Sequence, residues 1–356
     1  MHTRKTYRIV PLVLLLAVTA CNDSSPQGKL NSSENGGGGR NSGVSPFQKH
    51  QPIVIADQGD CQFAPENTLV AMRNGLRHGV VVLEADLNIT ADNELVLIHD
   101  GTLDRTTNCS GNVHDKTLAE IRDCDAAYWW VPGEVPGIVP VLGAIAVGGE
   151  LIGPLVRNPS DGRDYAMRGG GVQVPTLREF FQFALDRELP LMAVEIKNIP
   201  YDSNFDLLGR RMADVLVPLI VEYGLTQRVI VESFWPTSLE RVKELNPEIV
   251  TSFLTLGSAT ENYAVVSLTA SEHSSSDLIA PDFNQTYVDN VHALGKLVLP
   301  WAVDSAADAE LVKNLGADGL YTCHNVCMLE ALGRPAPRPI VTPEAGVNYD
   351  VPACPA

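Results

Sequence analysis

Basic residues are scarce in this chain. Its 356 residues include 26 Lys and Arg against 43 Asp and Glu, which gives a formal net charge of −17 at pH 7. Nucleic-acid binding draws mainly on clustered Lys and Arg, and no basic stripe interrupts this acidic background. The composition therefore excludes a nucleic-acid partner, and the acidic balance is more typical of a solubility feature than of a site.

The apolar N-terminal segment, residues 9–20, is too short to span a membrane. It follows three basic residues, as in an export signal, and runs into Val-Thr-Ala-Cys at Cys21, which resembles the bacterial lipoprotein processing box. We therefore predict a lipoprotein signal peptide over residues 1–20 and an exported protein, held to the cell envelope by lipidated Cys21, on the periplasmic side or at the outer membrane. The alternative is a plain secretory signal with an incidental Cys21.

Residues 21–50 are polar and glycine-rich, with too little apolar surface to offset the entropy of ordering them. We expect them to form a flexible tether between the anchor and a folded domain. That domain is predicted over residues 51–335, followed by a C-terminal tail over residues 336–356.

Short apolar runs alternate with longer amphipathic segments from residue 52 onward, which is typical of βα units around a parallel sheet. The strand-like runs are residues 53–56, 80–87, 95–99, 191–196, 228–233, 250–255, 278–281, 296–301 and 319–322. The helix-like segments are residues 68–78, 176–187, 205–223, 236–245, 285–294 and 306–314. We predict an α/β fold, a (β/α)8 TIM barrel whose functional groups lie at the C-terminal ends of the strands.

Two segments depart from the barrel pattern. Residues 90–94 join two of the nine strand-like runs and are too few for a helical crossover, so one run is a local extension, and the pattern leaves open which. Residues 126 to about 172, after the third strand, form an insertion with clustered Gly and Pro. Such an insertion either shapes a substrate pocket or is a surface elaboration without a catalytic role.

Six cysteines remain when Cys21 is set aside, and an even number in an exported protein favours disulfides. Fifteen pairings are possible, and no spacing matches a zinc site. Cys109 and Cys124 flank one short segment and are candidates for a pair. Cys61 follows the first strand of the predicted barrel and Cys323 follows the last, so these two cysteines are candidates for a second pair.

Carboxylates occur at the ends of two predicted strands. Glu84 and Asp86 point to the same side, because side chains alternate along a strand. Glu195 ends another apolar run, and three oxygen ligands at one barrel mouth suit Mg²⁺ or Ca²⁺. Lys197 points to the same side as Glu195 and is a candidate catalytic residue that binds an anionic phosphate. The alternative for each pair alone is a salt-bridged or solvated strand end.

His99 ends another apolar strand, where a lone histidine is more often structural than catalytic, but the motifs around it favour a chemical role. The motifs along the domain are Pro65-Glu66-Asn67-Thr68, Glu84 with Asp86, His99-Asp100 through Leu103-Asp104-Arg105-Thr106-Thr107, and Glu195 with Lys197. This ordered series resembles the glycerophosphodiester phosphodiesterase family over roughly residues 52–335. The resemblance implies a barrel enzyme in which a divalent cation polarises the phosphodiester while two histidines serve as acid and base.

One motif departs from that family. Its first H-R-G is Asp57-Gln58-Gly59 here, so one catalytic histidine and a phosphate-binding arginine are both absent. Asp57 remains a candidate base or a further oxygen ligand, and Gln58 offers the substrate only neutral hydrogen bonds. Among the other histidines, His114 is a better candidate than His78 to replace the missing one.

Trp301, at another strand end, is a candidate wall for the glycerol moiety, with ordinary core packing as the alternative. Taken together, the motifs predict a metal-dependent hydrolase in lipid metabolism that cleaves glycerophosphodiesters to an alcohol and glycerol 3-phosphate, with His99 as general acid. The alternatives are an impaired pseudoenzyme that binds a cation and a phosphorylated ligand, and a phospholipase-type barrel enzyme that acts on lipid head groups.

Overall fold

The computed structural model describes residues 51–62, 64–128, 172–255, 278, 280 and 282–334, together with the backbone of three short strands at 155–157, 164–166 and 273–276. Its strands are β1 (Ile53–Ala56), β2 (Val82–Ile89), β3 (Leu95–Leu97), β4 (Leu155–Arg157), β5 (Asp164–Ala166), β6 (Leu191–Ile196), β7 (Val229–Ser233), β8 (Val250–Thr255), β9 (His273–Ser276), β10 (Leu297–Val298) and β11 (Gly319–Thr322). Its helices are α1 (Leu69–Arg77), α2 (Leu118–Arg122), α3 (Leu177–Asp186), α4 (Arg210–Glu222), α5 (Pro236–Leu245), α6 (Gln285–Ala293), α7 (Ala306–Leu315) and α8 (Asn325–Ala331).

Eight parallel strands form the central sheet in the order β10-β9-β8-β7-β6-β2-β1-β11. Backbone hydrogen bonds also join β11 to the segment that follows β10, which are the last and first strands in this order. The Tyr321 amide on β11 donates to the Pro300 carbonyl after β10 (2.9 Å), and the Val303 amide donates to the Tyr321 carbonyl (2.9 Å). The sheet therefore curls back on itself, and the (β/α)8 fold predicted from the sequence is confirmed.

The ninth strand-like run is β3, which pairs antiparallel with β2 through Leu87 opposite Leu97 and Ile89 opposite Leu95. The turn between the two strands places Asn93 at a φ of 63°, a left-handed conformation that Asn tolerates better than most residues. Strand β3 is therefore the local extension that the short connection predicted, and it does not belong to the barrel wall.

Two element predictions need correction. The predicted strand at residues 278–281 is wrong, because the strand is β9, a polar His-Ser-Ser-Ser segment without any hydrophobic alternation, while Leu278 lies in a turn. The helix predicted from residue 205 begins at Arg210. The Asp206 carboxylate accepts the backbone amides of Arg210 (2.6 Å) and Arg211 (2.8 Å), so it satisfies the first helical donors and fixes the start of α4.

Alternate side chains of the barrel strands belong to two separate apolar clusters. On β1, Val54 packs in the cluster shared with the surrounding helices, whereas Ile53 and Ile55 belong to a smaller cluster with residues of other strands, including Ile230 and Leu299. This smaller cluster fills the barrel interior, as alternation along a barrel strand requires. Charged side chains such as Asp86 and Glu195 take the place of apolar ones toward the carboxyl ends of the described strands, where the candidate site lies.

Both candidate disulfides are present. Cys109 is bonded to Cys124, and Cys61, in the loop after β1, is bonded to Cys323, directly after β11. The second bond therefore ties together the carboxyl ends of two neighbouring barrel strands.

Replacement of Cys61 and Cys323 by Ala is expected to lower the free energy of unfolding by about 2–5 kcal/mol. The bond joins residues 262 apart in sequence, against 15 for Cys109 and Cys124, and a cross-link over a longer loop removes more chain entropy from the unfolded state. Urea denaturation of this double variant and of the corresponding Cys109/Cys124 variant measures the two losses of unfolding free energy. An equal or larger loss in the Cys109/Cys124 variant would contradict the expectation.

The insertion predicted at residues 126–172 falls mostly outside the described residues. Its two ends meet, since the Ala126 amide donates to the Val172 carbonyl (2.7 Å), and a short hairpin of β4 and β5 lies within it. The predicted signal peptide, tether and C-terminal tail, including Cys21, also lie outside the described residues. None of the helices in the described part of the chain is long and apolar enough to cross a membrane.

Candidate active site

A cavity of about 200 Å³ opens at the carboxyl ends of the barrel strands. Three carboxylates lie in register on adjacent strands there, because Asp86 on β2 pairs with Glu195 on β6, which pairs with Glu232 on β7. All three are buried. The cavity is lined by Asp57, Gln58, Glu84, Asp86, His99, Glu195, Lys197, Ile199, Pro200, Tyr201, Glu232, Phe234, Leu254, Trp301 and Tyr321. It therefore contains all eight residues that the sequence predicted for the site.

Lys197 neutralises two of these carboxylates. Its Nζ lies 3.0 Å from Glu195 Oε1 and 3.4 Å from Asp86 Oδ1. Burial alone would lower the pKa of Lys197, but the two carboxylates outweigh it and raise that pKa, so the ammonium stays charged. The cavity therefore keeps one fixed cation beside the carboxylates of β2 and β6.

Asp57 is a half-buried carboxylate that has no such cationic partner among the described residues. Burial, followed by the repulsion of Asp86, raises the pKa of Asp57 to about 7. The same two causes raise the pKa of Glu84 well above its usual range. The barrel mouth therefore holds more negative charge than Lys197 compensates.

The metal-free protein is expected to lose stability as the pH rises from about 4 to about 7. The pKa of Asp57 is 3.8 in its ordinary state and about 7 when folded, so the folded state binds more protons in this window and the free energy of unfolding falls with pH. Asp57→Asn should raise the melting temperature at about pH 8 more than at about pH 4, measured with a chelator present. Glu310→Gln, on the exposed side of α7, is the control for the loss of one carboxylate.

Gln58 donates hydrogen bonds to two carboxylates of the site. Its backbone amide donates to Glu84 Oε2 (2.7 Å), and its side-chain Nε2 donates to Asp86 Oδ2 (2.9 Å). Asn67 forms two further hydrogen bonds with Asp86. Its Nδ2 donates to Asp86 Oδ2 (2.7 Å), and its Oδ1 accepts a hydrogen bond from the Asp86 backbone amide (2.9 Å). Sequence reasoning placed Asn67 in a motif without a role, and the structure shows that it positions Asp86.

The His99 ring is oriented by its neighbour in sequence. Its Nδ1 lies 2.8 Å from Asp100 Oδ1, and since a carboxylate only accepts, Nδ1 carries the hydrogen and Nε2 is left for the cavity. Burial and the nearby Lys197 act to lower the pKa of His99. The carboxylates of Asp86 and Asp100 outweigh both, so the pKa of His99 is raised and its protonated form is favoured.

An ion-pair chain holds Asp100 in turn. Arg105 Nε donates to Asp100 Oδ2 (2.8 Å), and its terminal nitrogens form a fork on the two Glu66 oxygens (2.7 and 2.9 Å). Burial acts to raise the pKa of Asp100, but the bonds from His99 and Arg105 lower it well below its usual range. The carboxylate that orients His99 is therefore kept ionised by His99 and Arg105, and Arg105 is anchored in turn by Glu66, 39 positions away in sequence.

Neither histidine considered as a replacement for the missing one lines the cavity. His78 is fully buried and lies 3.3 Å from Asp60, between Nδ1 and Oδ2. His114 lies 3.4 Å from the carboxylate of Asp115, on the loop after β3. The position of His114 therefore gives no support to its candidacy as a replacement for the family histidine.

Part of the cavity wall is aromatic. Trp301 and Phe234 meet edge to face, with ring centroids 5.4 Å apart and an interplanar angle of 85°. Trp301 also packs on the interior apolar cluster, as the core-packing alternative expects, and its role as a wall for the glycerol moiety stays a prediction. Glu232 and Tyr321 complete this wall and were missed by sequence reasoning, although a carboxylate at the end of β7 was visible in the strand pattern.

The carboxylates fit a hard divalent cation in donor chemistry. They are oxygen ligands with excess negative charge, and Glu84 Oε1 is buried without a hydrogen-bond partner. Within the described residues, however, no group of three His, Cys, Asp or Glu side chains converges as a metal site, and Lys197 contacts two of the three predicted ligands. The metal assignment of Glu84, Asp86 and Glu195 stays a prediction.

A curled (β/α)8 sheet with an oriented histidine and buried carboxylates at its carboxyl end defines a TIM-barrel enzyme. The profile of the glycerophosphoryl diester phosphodiesterase family matches residues 58–324. The chain therefore belongs to this family, and the resemblance and enzyme class predicted from the sequence are confirmed at that level.

Named relatives agree with this assignment. A glycerophosphodiester phosphodiesterase of Caldanaerobacter subterraneus subsp. tengcongensis is 30% identical over 272 residues, which cover 76% of this chain and 93% of the relative. A glycerophosphodiester phosphodiesterase of Bacillus subtilis is 26% identical over 275 residues, which cover 76% of this chain and 83% of the relative.

Solved structures share the fold. A phosphodiesterase of Oleispira antarctica, in complex with the product sn-glycerol-3-phosphate, superposes with a TM-score of 0.62 at 19% identity, over 80% of this chain and 97% of that one. A glycerophosphodiester phosphodiesterase of Parabacteroides distasonis superposes with a TM-score of 0.59 at 19% identity, over 80% and 98%.

Proposed function

We propose that the protein is a metal-dependent phosphoric diester hydrolase that cleaves glycerophosphodiesters to an alcohol and glycerol 3-phosphate. The observation that carries the proposal is the His99 ring, which is fixed by Asp100 at a cavity that also holds Lys197 and the strand-end carboxylates. Family membership and the product complex of the Oleispira antarctica relative support the same reaction.

The chain's own residues supply the proton transfers. Water adds to phosphorus, and the bond from phosphorus to the alcohol oxygen breaks. His99, protonated, donates its Nε2 proton to the departing alcohol oxygen as general acid. Asp57 lines the same cavity in place of the family histidine and accepts the proton of the attacking water. Lys197 offers its ammonium to the phosphate oxygens that carry the negative charge.

Glu84, Asp86 and Glu195 would hold the divalent cation, Mg²⁺ or Ca²⁺. When bound, such a cation neutralises charge on the non-bridging phosphate oxygens. The unpartnered Glu84 oxygen and the uncompensated charge of the site support this assignment.

A second candidate function is a binding protein with impaired turnover. Its support is the loss of the His-Arg pair, together with the commitment of the Gln58 donors to Glu84 and Asp86, which leaves no cationic fork for a phosphate on β1. Such a protein would bind a cation and a phosphorylated ligand without hydrolysis.

We also propose that the protein works outside the cytoplasm in lipid metabolism, anchored to the cell envelope by lipidated Cys21. The N-terminal sequence pattern supports this placement, and so do the two disulfides, which persist in oxidising compartments. Mass spectrometry of the N-terminal peptide, before and after treatment with a signal-peptidase inhibitor, tests for the lipid.

The activity test uses the full chain with glycerophosphocholine and related diesters, in the presence of Mg²⁺ or Ca²⁺ and after chelation. We expect release of glycerol 3-phosphate that stops on chelation and returns when the cation is restored. Cation binding by calorimetry without turnover of any diester would reject the hydrolase and leave the binding protein.

A further inference from the structure

Two buried asparagines contact the backbone of the segments that carry the proposed acid and base. Asn88, on β2, and Asn325, the first residue of α8, are both fully buried, and neither lines the cavity. Each donates hydrogen bonds through its side-chain Nδ2, while its Oδ1 has no hydrogen-bond donor among the described residues. The N–H donors are therefore what each of these side chains contributes to the fold.

Another buried asparagine uses both halves of its amide. Asn198 donates through Nδ2 to the Asp206 carbonyl (2.7 Å) and accepts the Asp206 amide on Oδ1 (2.9 Å). A buried amide oxygen without a partner costs free energy. Asn88 and Asn325 carry this cost where Asn198 does not, so their positions require a donor rather than a side chain that is merely polar.

Asn88 holds the segment of the proposed general acid. It follows the site carboxylates of β2 at the two-residue spacing that keeps side chains on one side of a strand. Its Nδ2 donates to three consecutive carbonyl oxygens, those of Ile98 (2.9 Å), His99 (3.3 Å) and Asp100 (3.1 Å). This segment lies beyond the end of β3. Asn88 therefore fixes the backbone from which the His99 ring and the Asp100 carboxylate project.

Asn325 holds the turn that carries the proposed base, Asp57. Its Nδ2 donates to the Gly59 carbonyl (2.9 Å) and to Asp60 Oδ1 (3.3 Å). Gln58, in the same turn, has a φ of 54°, a left-handed conformation that costs a residue other than glycine free energy unless its surroundings hold it. Asn325 therefore ties a strained turn of the site to the start of α8.

We propose that Asn88 and Asn325 are positioning residues of the reaction. Asn88 aligns His99 with the departing alcohol oxygen, and Asn325 aligns Asp57 with the attacking water. Since neither asparagine lines the cavity, each acts through its partner and not on the substrate. This inference rests on the proposed function, from which it takes the acid and the base.

The first experiment compares two leaving groups in the full chain. Leucine resembles asparagine in size and branching but donates no hydrogen bond, so the variants are Asn88→Leu and Asn325→Leu. We expect Asn88→Leu to lower kcat on glycerophosphocholine by about tenfold or more, and to lower it much less on a nitrophenyl ester of glycerol phosphate, whose phenolate leaves without a proton. Asn325→Leu should lower kcat about equally on both esters, because the base acts on water in each reaction.

Asn198→Leu is the matched control for loss of a buried asparagine. It should lower the melting temperature without any difference between the two esters. If Asn88→Leu behaves like this control, with equal losses on both esters, Asn88 has only a structural role and the proposal fails. A loss in Asn325→Leu that is confined to glycerophosphocholine would overturn the assignment of Asn325 to the base.

Double-mutant cycles connect each asparagine to its partner. Asn325→Leu should have almost no further effect on kcat in the Asp57→Asn background but its full effect in the His99→Ala background, and Asn88→Leu should show the opposite pattern. Losses that add in every combination would overturn the proposal, because a change that only weakens the fold does not depend on which catalytic group is present.

A third measurement needs no turnover. Proton–nitrogen NMR of the full chain follows exchange with water of the His99 Nδ1 proton and of the Gln58 amide proton, both of which are hydrogen-bonded to carboxylates. Asn88→Leu should speed the first exchange and Asn325→Leu the second, by about tenfold, each without changing the other. This pattern in a protein that hydrolyses no diester would support the positioning roles and reject the hydrolase. Unchanged exchange in both variants of an active enzyme would reject the positioning roles and leave the hydrolase.

Discussion

Replacement of His99 by Ala is expected to lower kcat on glycerophosphocholine by about 10²- to 10⁴-fold, the usual contribution of a positioned general acid. His99 combines three features of such a group: its Nε2 is left for the cavity, its Nδ1 is fixed by Asp100, and its protonated form is favoured. Steady-state kinetics at saturating cation measure the loss. The effect should fall on kcat more than on KM, because the proton is needed only as the bond to the alcohol breaks.

A change of leaving group tests this assignment further. A nitrophenyl ester of glycerol phosphate releases a stable phenolate that needs no proton, so His99→Ala should lose much less activity on it than on glycerophosphocholine. His114→Ala is the histidine control and should retain activity, because His114 does not line the cavity. Equal losses on both esters would mean that His99 binds or positions the substrate instead.

The barrel could be predicted from the sequence because its signal is local. Apolar runs and amphipathic segments alternate, and helix α5 (Pro236–Leu245) and strand β6 (Leu191–Ile196) have the predicted bounds. Strand β9 could not be found in this way, because a polar His-Ser-Ser-Ser segment carries no hydrophobic pattern and is a strand only through its pairing with β8 and β10.

The residues of the candidate site could likewise be predicted only where the sequence signal is local. Alternation alone could place Glu84 and Asp86 on one side of their strand and Glu195 near the end of another, and the cavity contains all three. The strand-end placement of Glu84 and Asp86 is wrong, because β2 continues to Ile89. The pair of hydrogen bonds from Arg105 to Glu66 could not be predicted, since it joins residues that are neighbours only in the folded barrel. The same holds for the bond from Tyr321 to Glu232, which crosses from β11 to β7.

The double change Asp57→His with Gln58→Arg is expected to raise kcat/KM for glycerophosphodiesters by about tenfold to 10²-fold. The histidine would restore an imidazole that can both accept and donate a proton near neutral pH. The arginine would add a planar cationic fork for the phosphate oxygens, where Gln58 offers neutral donors already bonded to Glu84 and Asp86. Loss of the Asp57 charge would also weaken the repulsion that an anionic diester meets in this cavity.

Each single variant separates these contributions. Gln58→Arg alone should lower KM, because a phosphate contact stabilises the bound substrate as well as the transition state. Asp57→His alone should raise kcat, and the acidic limb of the pH profile, which reports the general base, should then follow the titration of an imidazole. A cation titration accompanies both variants, since a loss of metal affinity in Asp57→His would identify Asp57 as a metal ligand. If the double variant is no faster than the parent protein, Asp57 already serves this chain as well as a histidine would, and the departure from the family pattern is an adaptation of the site rather than a loss.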